Sequence, residues 1–378
     1  MSRSEPVHVV LCTDGVFPHA MGGMQRHSRL LAEHLARGGR VRLTVIHPHE
    51  VEVFDPELGI DEVRITDIDP QRFYLRELWR YSGRVADALR QQRPDVILAQ
   101  GFCVWKDIDE FRDRLVVHPH GLEMFQMLGR KERLMGIPFR MALRYILRRS
   151  RTVVSLGGRL TDILVDQVKG SGASVEVLPN AVDPISTGII ERPDRRPLQL
   201  LFVGRFAFNK GIDVLLAVAD RLVGEGHVND LRFKLVGDGP LLAQVQRKGL
   251  PENVELLGRV DDAGLDRLYR ECDAFVLPTR FEGMPTVVLE AMARSCPIIV
   301  SDVGATAELV DASNGYLIPP GNADELHRAV LSLEYLTPQE RALLGERGRN
   351  KVGERFTWQA VTRAFEDLFI RMAGEGSN

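Results

Sequence analysis

Two doubly wound α/β domains are what this sequence predicts, and three observations predict them. The chain has 378 residues, and at roughly 100–200 residues per domain two domains are expected. Short apolar, β-branched runs alternate with segments of helical apolar period along almost the whole length. The runs are apolar on both faces, as strands of a covered parallel sheet are.

The order begins with VHVVLCTDG, a strand stopping at a polar turn, and FPHAMGG, a glycine-rich loop. MQRHSRLLAEHLARGG then puts Leu30, Leu31 and Leu35 at helical spacing and ends at Gly38-Gly39, a helix stop. VRLTVIHP returns as a strand and completes a β–loop–α–β unit. RYSGRVADALRQQ reads as a helix, PDVILAQG as a strand, and RLVVHPHG as a strand running into His120-Gly121; RTVVSLGG and VEVLPNAVD follow in the same style. Residues 190–197, IERPDRRP, are charged, proline-bearing and without apolar period. They read as a linker, so one domain is expected over 1–190 and the next over 191–356. LQLLFVGRF restarts the alternation, followed by IDVLLAVADRLV (helix), LRFKLVGDG (strand), PLLAQVQRK (helix), VELLGRV (strand), AGLDRLYREC (helix), DAFVLPT (strand), TVVLEAMARS (helix) and CPIIVSDVG (strand). The closing FTWQAVTRAFEDLFIRMAG carries apolar residues at 358, 361, 365, 368 and 369, an amphipathic helix that on period alone packs on the domain preceding it.

Composition narrows the function. Hydrophobic content of 44% and charged content of 27% are those of an ordinary soluble globular protein, and a net charge of −3 does not mark a nucleic-acid binder. Cys12, Cys103, Cys272 and Cys296 are widely spaced and form no Cys/His metal pattern. Reduced, mostly buried thiols in a cytoplasmic protein are expected. The apolar run at the N-terminus is too short for a signal-peptide core, and no stretch approaches the roughly 18 apolar residues of a membrane span.

Ligands of open α/β sheets bind beyond the carboxyl ends of the strands. In the second half those positions hold Gly204-Arg205 and Lys210-Gly211 after one strand, GDGP after the next, and RFEGMP after a later one. Glycine lets the backbone approach a ligand, and Arg and Lys neutralise phosphate. A helix beginning near Pro285 or Thr286 offers unpaired N–H groups to an anion. Glu290 falls near the second turn of that helix and Glu282 in the loop before it. Were all eight intervening steps helical, the rise would be roughly 12 Å, about the span from sugar to ribose in a nucleotide-sugar. Carboxylates suit hydroxyl ligands because they only accept hydrogen bonds.

These stretches resemble a known family. VGRFAFNKGIDVLL, LVGDGPL and FEGMPTVVLEAMARSCPIIVSDVGATAELV are similar to the retaining glycosyltransferases of family 4, which have the GT-B fold; MGGMQRHSRLLAEHLARGG, HPHGLE and VLPNAVD extend the likeness through the first half. Ala181 departs from the glycine frequent in the family's PNGVD stretch. The resemblance implies two Rossmann-like domains facing a central cleft, with the last helix, 357–378, returning to the N-terminal, acceptor-side domain. It implies that Arg205 and Lys210 bind the leaving diphosphate and Glu290 the ribose. Glu282 with the backbone of Gly283, Met284 and Pro285 would hold the donor sugar, with Gly204, Val260 and Thr286 also on the donor. His120 would lie near the reacting centre, and Gly22-Gly23 would approach the phosphates or the acceptor. Anomeric configuration would be retained, and neither metal nor cofactor would be needed. The partners implied are a nucleotide-sugar donor (UDP- or GDP-sugar) and a glycan or glycolipid acceptor of the cell envelope. Two alternatives stay open on the residues: a nucleotide-sugar epimerase of the same fold, and a non-catalytic nucleotide-sugar-binding module.

Each functional residue has a plainer reading. Glu290, Arg205 and Lys210 could be solvated charges, His120 a satisfied core histidine, and Gly22-Gly23 only a turn. His118, two residues before His120, reads as structural and on the other face of the strand. GDGPLL lacks the third glycine of the dinucleotide fingerprint. Asp67-Ile68-Asp69 and Asp107-Ile108-Asp109 resemble metal-binding DxD triplets but read as turn or helix-start charges. Residues 130–151, RKERLMGIPFRMALRYILRRSR, hold eight basic residues against one acid, interleaved with Leu134, Ile137, Phe139, Leu143 and Ile146. They read either as a solvated helix face or as a surface for anionic lipid at the inner face of the plasma membrane.

Overall fold

A computed structural model describes residues 6–69, 71–126, 129–184 and 192–375. The chain divides into two compact units, Met1–Asn180 with Trp358–Asn378, and Ala181–Thr357.

The first unit holds one parallel sheet of seven strands: β1 (Val7–Cys12), β2 (Val41–His47), β3 (Asp61–Arg64), β4 (Val96–Gln100), β5 (Leu115–His118), β6 (Thr152–Ser155) and β7 (Ser174–Val177). Their order across the sheet is β3-β2-β1-β4-β5-β6-β7. β1, β4, β5 and β6 are buried along their whole length, which is why their sequences show no polar alternation. β3 and β7 form the edges and are half-exposed, so β3 has no apolar run to announce it. The helix read from RYSGRVADALRQQ starts earlier, over Tyr74–Gln92, because Leu78 and Tyr81 continue its buried stripe. It stops at Arg93 in the left-handed region, φ 48°, one residue before Pro94.

The second unit repeats the plan with six parallel strands: β8 (Leu198–Val203), β9 (Leu231–Val236), β10 (Val254–Gly258), β11 (Ala274–Leu277), β12 (Ile298–Ser301) and β13 (Gly315–Ile318), in the order β10-β9-β8-β11-β12-β13. In both units the order reverses beside the first strand, between β1 and β4 and between β8 and β11. That reversal is the switch point at which ligands bind in such sheets.

Two features differ from the plain reading of the chain. The final helix, Trp358–Glu375, belongs to the first unit. Its buried stripe is the expected one, with Trp358, Val361, Phe365, Leu368 and Phe369 covered. His34 on the helix Gly23–Gly38 stacks on Trp358 at 5.2 Å, and Arg40 reaches Glu366 at 3.1 Å and Asp367 at 2.8 Å. Apolar period fixes which face is buried but not which sheet covers it. The proline-bearing linker is the second feature. Residues 185–191 lie outside the described residues, and 192–197 are part of the second unit. Arg192 donates from Nη1 to the Ser295 carbonyl at 2.8 Å and from Nη2 to the Arg294 carbonyl at 2.8 Å. A buried set of backbone acceptors explains a charge that composition assigns to a spacer.

The basic segment also resolves into parts. It contains the helices Arg130–Met135 and Ile137–Arg149, and the side chains of residues 130–132 lie outside the description. Leu143 and Ile146 are buried, whereas Leu134, Met135, Ile137 and Met141 are exposed. Arg148 donates to the carbonyls of Gln167 and Lys169, Arg149 pairs with Asp109 at 3.3 Å, and Arg151 donates to the Asp113 carbonyl. Of the DxD triplets, Asp107 pairs with Arg90 at 2.7 Å and Asp69 with Arg72 at 2.9 Å, so both are committed to surface ion pairs.

Candidate active site

The second unit's switch point gathers the expected loops. After β8 the chain passes Gly204 and Arg205 and makes a single turn, Phe208–Lys210. After β11 it runs through Thr279, Arg280 and Glu282. Lys210 Nζ pairs with Glu282 Oε1, and Thr279 Oγ1 donates to the Asn209 carbonyl at 2.8 Å and lies 3.3 Å from Glu282 Oε1. The Arg280 amide donates to the Asn209 carbonyl at 2.7 Å, while its guanidinium pairs with Asp213 at 2.7 Å over the Phe208 ring. Two loops 72 residues apart in sequence are thus stitched into one surface. Arg205 is exposed beside them and makes no ion pair among the described residues.

Backbone packing forms the rest of the cradle. Gly304 sits at φ +56°, and a Cβ there would lie 2.2 Å from the Glu282 carbonyl oxygen and 2.4 Å from that of Gly283. Only glycine meets both requirements. The next residue, Ala305, donates to the Gly283 carbonyl at 2.9 Å, which fixes the Glu282–Gly283 backbone. Gly237, at φ +136°, likewise presses on the Gly204 carbonyl oxygen, 2.0 Å from where a Cβ would be. The GDGP glycines therefore serve close packing of one loop on another. Gly237 belongs to the GDGP loop read from the sequence as a ligand contact, whereas Gly304 carries no such reading; it stands three residues after β12.

Glu282-Gly283-Met284-Pro285 leads into the helix Thr286–Ala293. Pro285 is its N-cap, in the extended region, and no side chain caps the helix. Its N-terminus, with its dipole, is therefore suited to an anion. Glu290 is the fifth helical residue and half-buried. Tyr269, itself buried, donates its hydroxyl to Glu290 Oε2 at 3.0 Å, and Arg294 donates to the Glu290 carbonyl at 3.0 Å. Burial, and then the neighbouring Glu290 charge, raise the Tyr269 phenol well above its ordinary range, so it stays a donor. Val260 is half-buried just after β10. The arrangement can bind a diphosphate through Arg205, Lys210 and a helix terminus, with one carboxylate on either side.

The first unit holds His120, Gly22 and Gly23. Gly22 and Gly23 are exposed, with Gly23 opening the helix Gly23–Gly38, which also has no side-chain cap. His120, at φ +58°, hydrogen-bonds through Nε2 to Gln100 Oε1 at the end of β4. His118, read as structural and on the opposite face of the strand, is buried, but its ring stacks on His120 at 3.7 Å; the face is corrected here, because residues two apart along an extended strand share a face. His27 completes a trio, 5.1 Å from His118 and 4.9 Å from His120 between ring centroids. Both nitrogens of His27 and of His118 are buried without a hydrogen-bond partner among the described residues. Burial pushes His27 down to about 4 and holds His118 and His120 well below the ordinary imidazole range, so the trio is neutral. Their nitrogens lie within 4.8 Å of one another. A shared ion about 2.0–2.1 Å from each nitrogen is disfavoured all the same. The rings of His118 and His120 are only 23° from parallel, and stacked rings do not aim their lone pairs at one point.

Comparison with known proteins adds the following. The model of Glycosyltransferase Family 4 matches residues 21–185, and that of Glycosyl transferases group 1 matches residues 197–334. An uncharacterized glycosyltransferase of Methanocaldococcus jannaschii, MJ1178, is 34% identical over 177 residues, 44% of this chain and 48% of that protein. The phosphatidyl-myo-inositol mannosyltransferase of Mycobacterium tuberculosis is 30% identical over 223 residues, 56% of this chain and 58% of that one. The chain thus spans about half the length of these relatives. Among solved structures, the sucrose-phosphate synthase of Thermosynechococcus elongatus superposes with a TM-score of 0.80 at 20% identity, over 98% of this chain and 100% of that one.

Proposed function

We propose, for a chain that belongs to the family 4 type of GT-B glycosyltransferases, that it moves a sugar from a nucleotide diphosphate donor to a hydroxyl with retention of anomeric configuration. The acceptor in this reading is a cell-envelope glycan or glycolipid. The observation that carries it is the pairing of Lys210 with Glu282 at the β8/β11 switch point, beside an uncapped helix terminus and Arg205. A diphosphate leaving group needs its developing charge stabilised, and Lys210, held on Glu282, the helix dipole and Arg205 supply that. Glu282 with the backbone of Gly283, Met284 and Pro285 holds the sugar. Glu290, one oxygen taken by Tyr269, holds the ribose. Gly204, Val260 and Thr286 line the donor, and the roles of His120, Gly22 and Gly23 stay those that the resemblance implies. The departing phosphate oxygen takes the acceptor's proton, so no protein base is assigned. A thermal-shift screen of UDP, GDP and ADP selects the base. Donor hydrolysis without acceptor then tests the reaction: slow release of nucleotide and free sugar supports a transferase. Interconversion of the donor would indicate an epimerase, and no turnover a binding module.

With Arg205, Lys210 and a helix dipole on the diphosphate, the reaction is proposed to run without metal or cofactor. Activity is expected to persist in a strong chelator. Loss with chelator and return with magnesium or manganese would sink this assignment.

Peripheral contact with anionic membrane, at the inner face of the plasma membrane, is proposed for the outer side of residues 133–145. No helix among the described residues is long and apolar enough to cross a membrane. Exposed Leu134, Met135, Ile137 and Met141 flank exposed Arg144, a pattern suited to an interface. Binding to anionic vesicles should fall steeply with salt, since attraction is screened within about 8 Å at physiological ionic strength. Arg144→Gln with Met141→Ser should weaken it more than Arg148→Gln, whose guanidinium is already spent on carbonyls. Equal binding to neutral and anionic vesicles, or to neither, would reduce the segment to a solvated face.

A further inference from the structure

Cys272 and Cys296 are 24 residues apart in sequence, yet their sulfurs lie 3.3 Å from each other. Cys272 ends the helix Asp262–Glu271, and Cys296 precedes β12. They are 2% and 0% exposed. Both thiols point at the Tyr269 carbonyl, at 3.5 Å from Cys272 and 2.9 Å from Cys296. The Arg192 guanidinium lies on top, with Nη2 3.3 Å from the Cys296 sulfur. A guanidinium held against one thiol of a touching pair favours the thiolate of that sulfur and leaves the other within reach of it.

We propose that Cys272 and Cys296 are a redox modification site that closes to a disulfide with hydrogen peroxide as oxidant. Cys296 is the attacking sulfur. Its thiolate displaces hydroxide from the peroxide, forming a sulfenic acid and, with the thiol's proton, one water. Cys272 then attacks that sulfur, forming the S–S bond and releasing a second water. The two thiols lose two electrons, which reduce the peroxide. A small oxidant is required because the pair is buried. Closing from 3.3 Å to a bond of about 2.05 Å needs only a small side-chain movement. Burial alone raises both thiols; for Cys296 the hydrogen bond from Cys272 and the Arg192 charge outweigh it and bring the group below its ordinary range. Tyr269, whose carbonyl accepts from both thiols, also holds Glu290 through its hydroxyl. Oxidation removes both thiol donors from that carbonyl and leaves it to Arg192 Nη2 at 3.3 Å, and through Tyr269 it is coupled to nucleotide binding. This coupling rests on the donor-site reading; the disulfide does not.

The test treats the intact reduced chain with hydrogen peroxide, alkylates the remaining thiols after unfolding, and maps tryptic peptides by mass spectrometry. A cross-linked Cys272–Cys296 peptide pair is expected, with Cys12 and Cys103 alkylated and dithiothreitol reversing the link. Cys272→Ser should stop at a sulfenic acid on Cys296 that dimedone traps. Arg192→Gln should slow cross-linking about tenfold at pH 7, with recovery at pH 9 as thiolate is supplied by base. Exposed Met135 and Met141 are an internal standard. If they are oxidised while Cys272 and Cys296 remain alkylatable, or if Cys296 reaches sulfinic acid without a link, the site is refuted. The cross-linked chain should bind UDP or GDP at least about threefold more weakly than the reduced chain. Unchanged affinity would refute the coupling. A reduced chain that binds neither nucleotide would count against the donor-site reading and not against the disulfide.

Discussion

Lys210→Ala should lower kcat by about 10²–10³-fold, the cost of removing one preorganised group that stabilises developing charge. The ammonium is 20% exposed and held on Glu282. A diphosphate arriving at the switch point offers it a second anionic partner, and the charge that builds on the leaving phosphate strengthens that contact in the transition state. The loss should therefore fall mainly on kcat, with a smaller weakening of nucleotide diphosphate binding. Steady-state kinetics and calorimetric titration with the bare nucleotide separate the two. A kcat within threefold of the parent would show that Lys210 only neutralises Glu282.

The two carboxylates should respond in opposite ways. Glu282→Gln should lower kcat by more than tenfold, about 1.4 kcal/mol or greater, because positive charge develops on the sugar as its bond to phosphate breaks. The same change releases Lys210 from its ion pair, so affinity for the bare nucleotide diphosphate should hold or rise. Glu290→Gln should mainly raise the donor KM and weaken the bare nucleotide, since ribose binding is nearly uniform between ground and transition states. Tyr269→Phe should share the direction of Glu290→Gln with a smaller effect, as it removes the donor that orients the Glu290 carboxylate. If Glu282→Gln loses nucleotide affinity and Glu290→Gln keeps it, the two roles are interchanged. If neither matters, the pair is a loop and a helix face.

Much of this was legible along the chain. Two alternating α/β halves, the strands β1, β4, β5 and β6, and the helix opening at Thr286 after Pro285 all follow from local pattern. Burial on both faces leaves uninterrupted apolar runs, and proline at an N-cap is a local restriction on the backbone. The charged and glycine residues of the loops after β8 and β11 could also be named, because ligand sites of open α/β sheets lie at strand ends. Edge strands β3 and β13 left no comparable mark, since half-exposed strands need no long apolar run.

What sequence alone determined, then, was which segments form strands and helices, which faces are apolar, and which residue types stand at strand ends. Those are properties of neighbours in the chain. Tertiary structure decided the partnerships. It put Lys210 against Glu282 because β8 and β11 are neighbours in the sheet, and Tyr269 on Glu290 because the helix Asp262–Glu271 packs beside the helix Thr286–Ala293. It set Gly304 under the Glu282 and Gly283 carbonyls and returned the helix Trp358–Glu375 to the first unit. It set His27 of the helix Gly23–Gly38 against His118 and His120 and brought Cys272 to Cys296 under Arg192. Each pairing depends on strand order, crossover or a single backbone angle, and none of these is written in apolar period or composition.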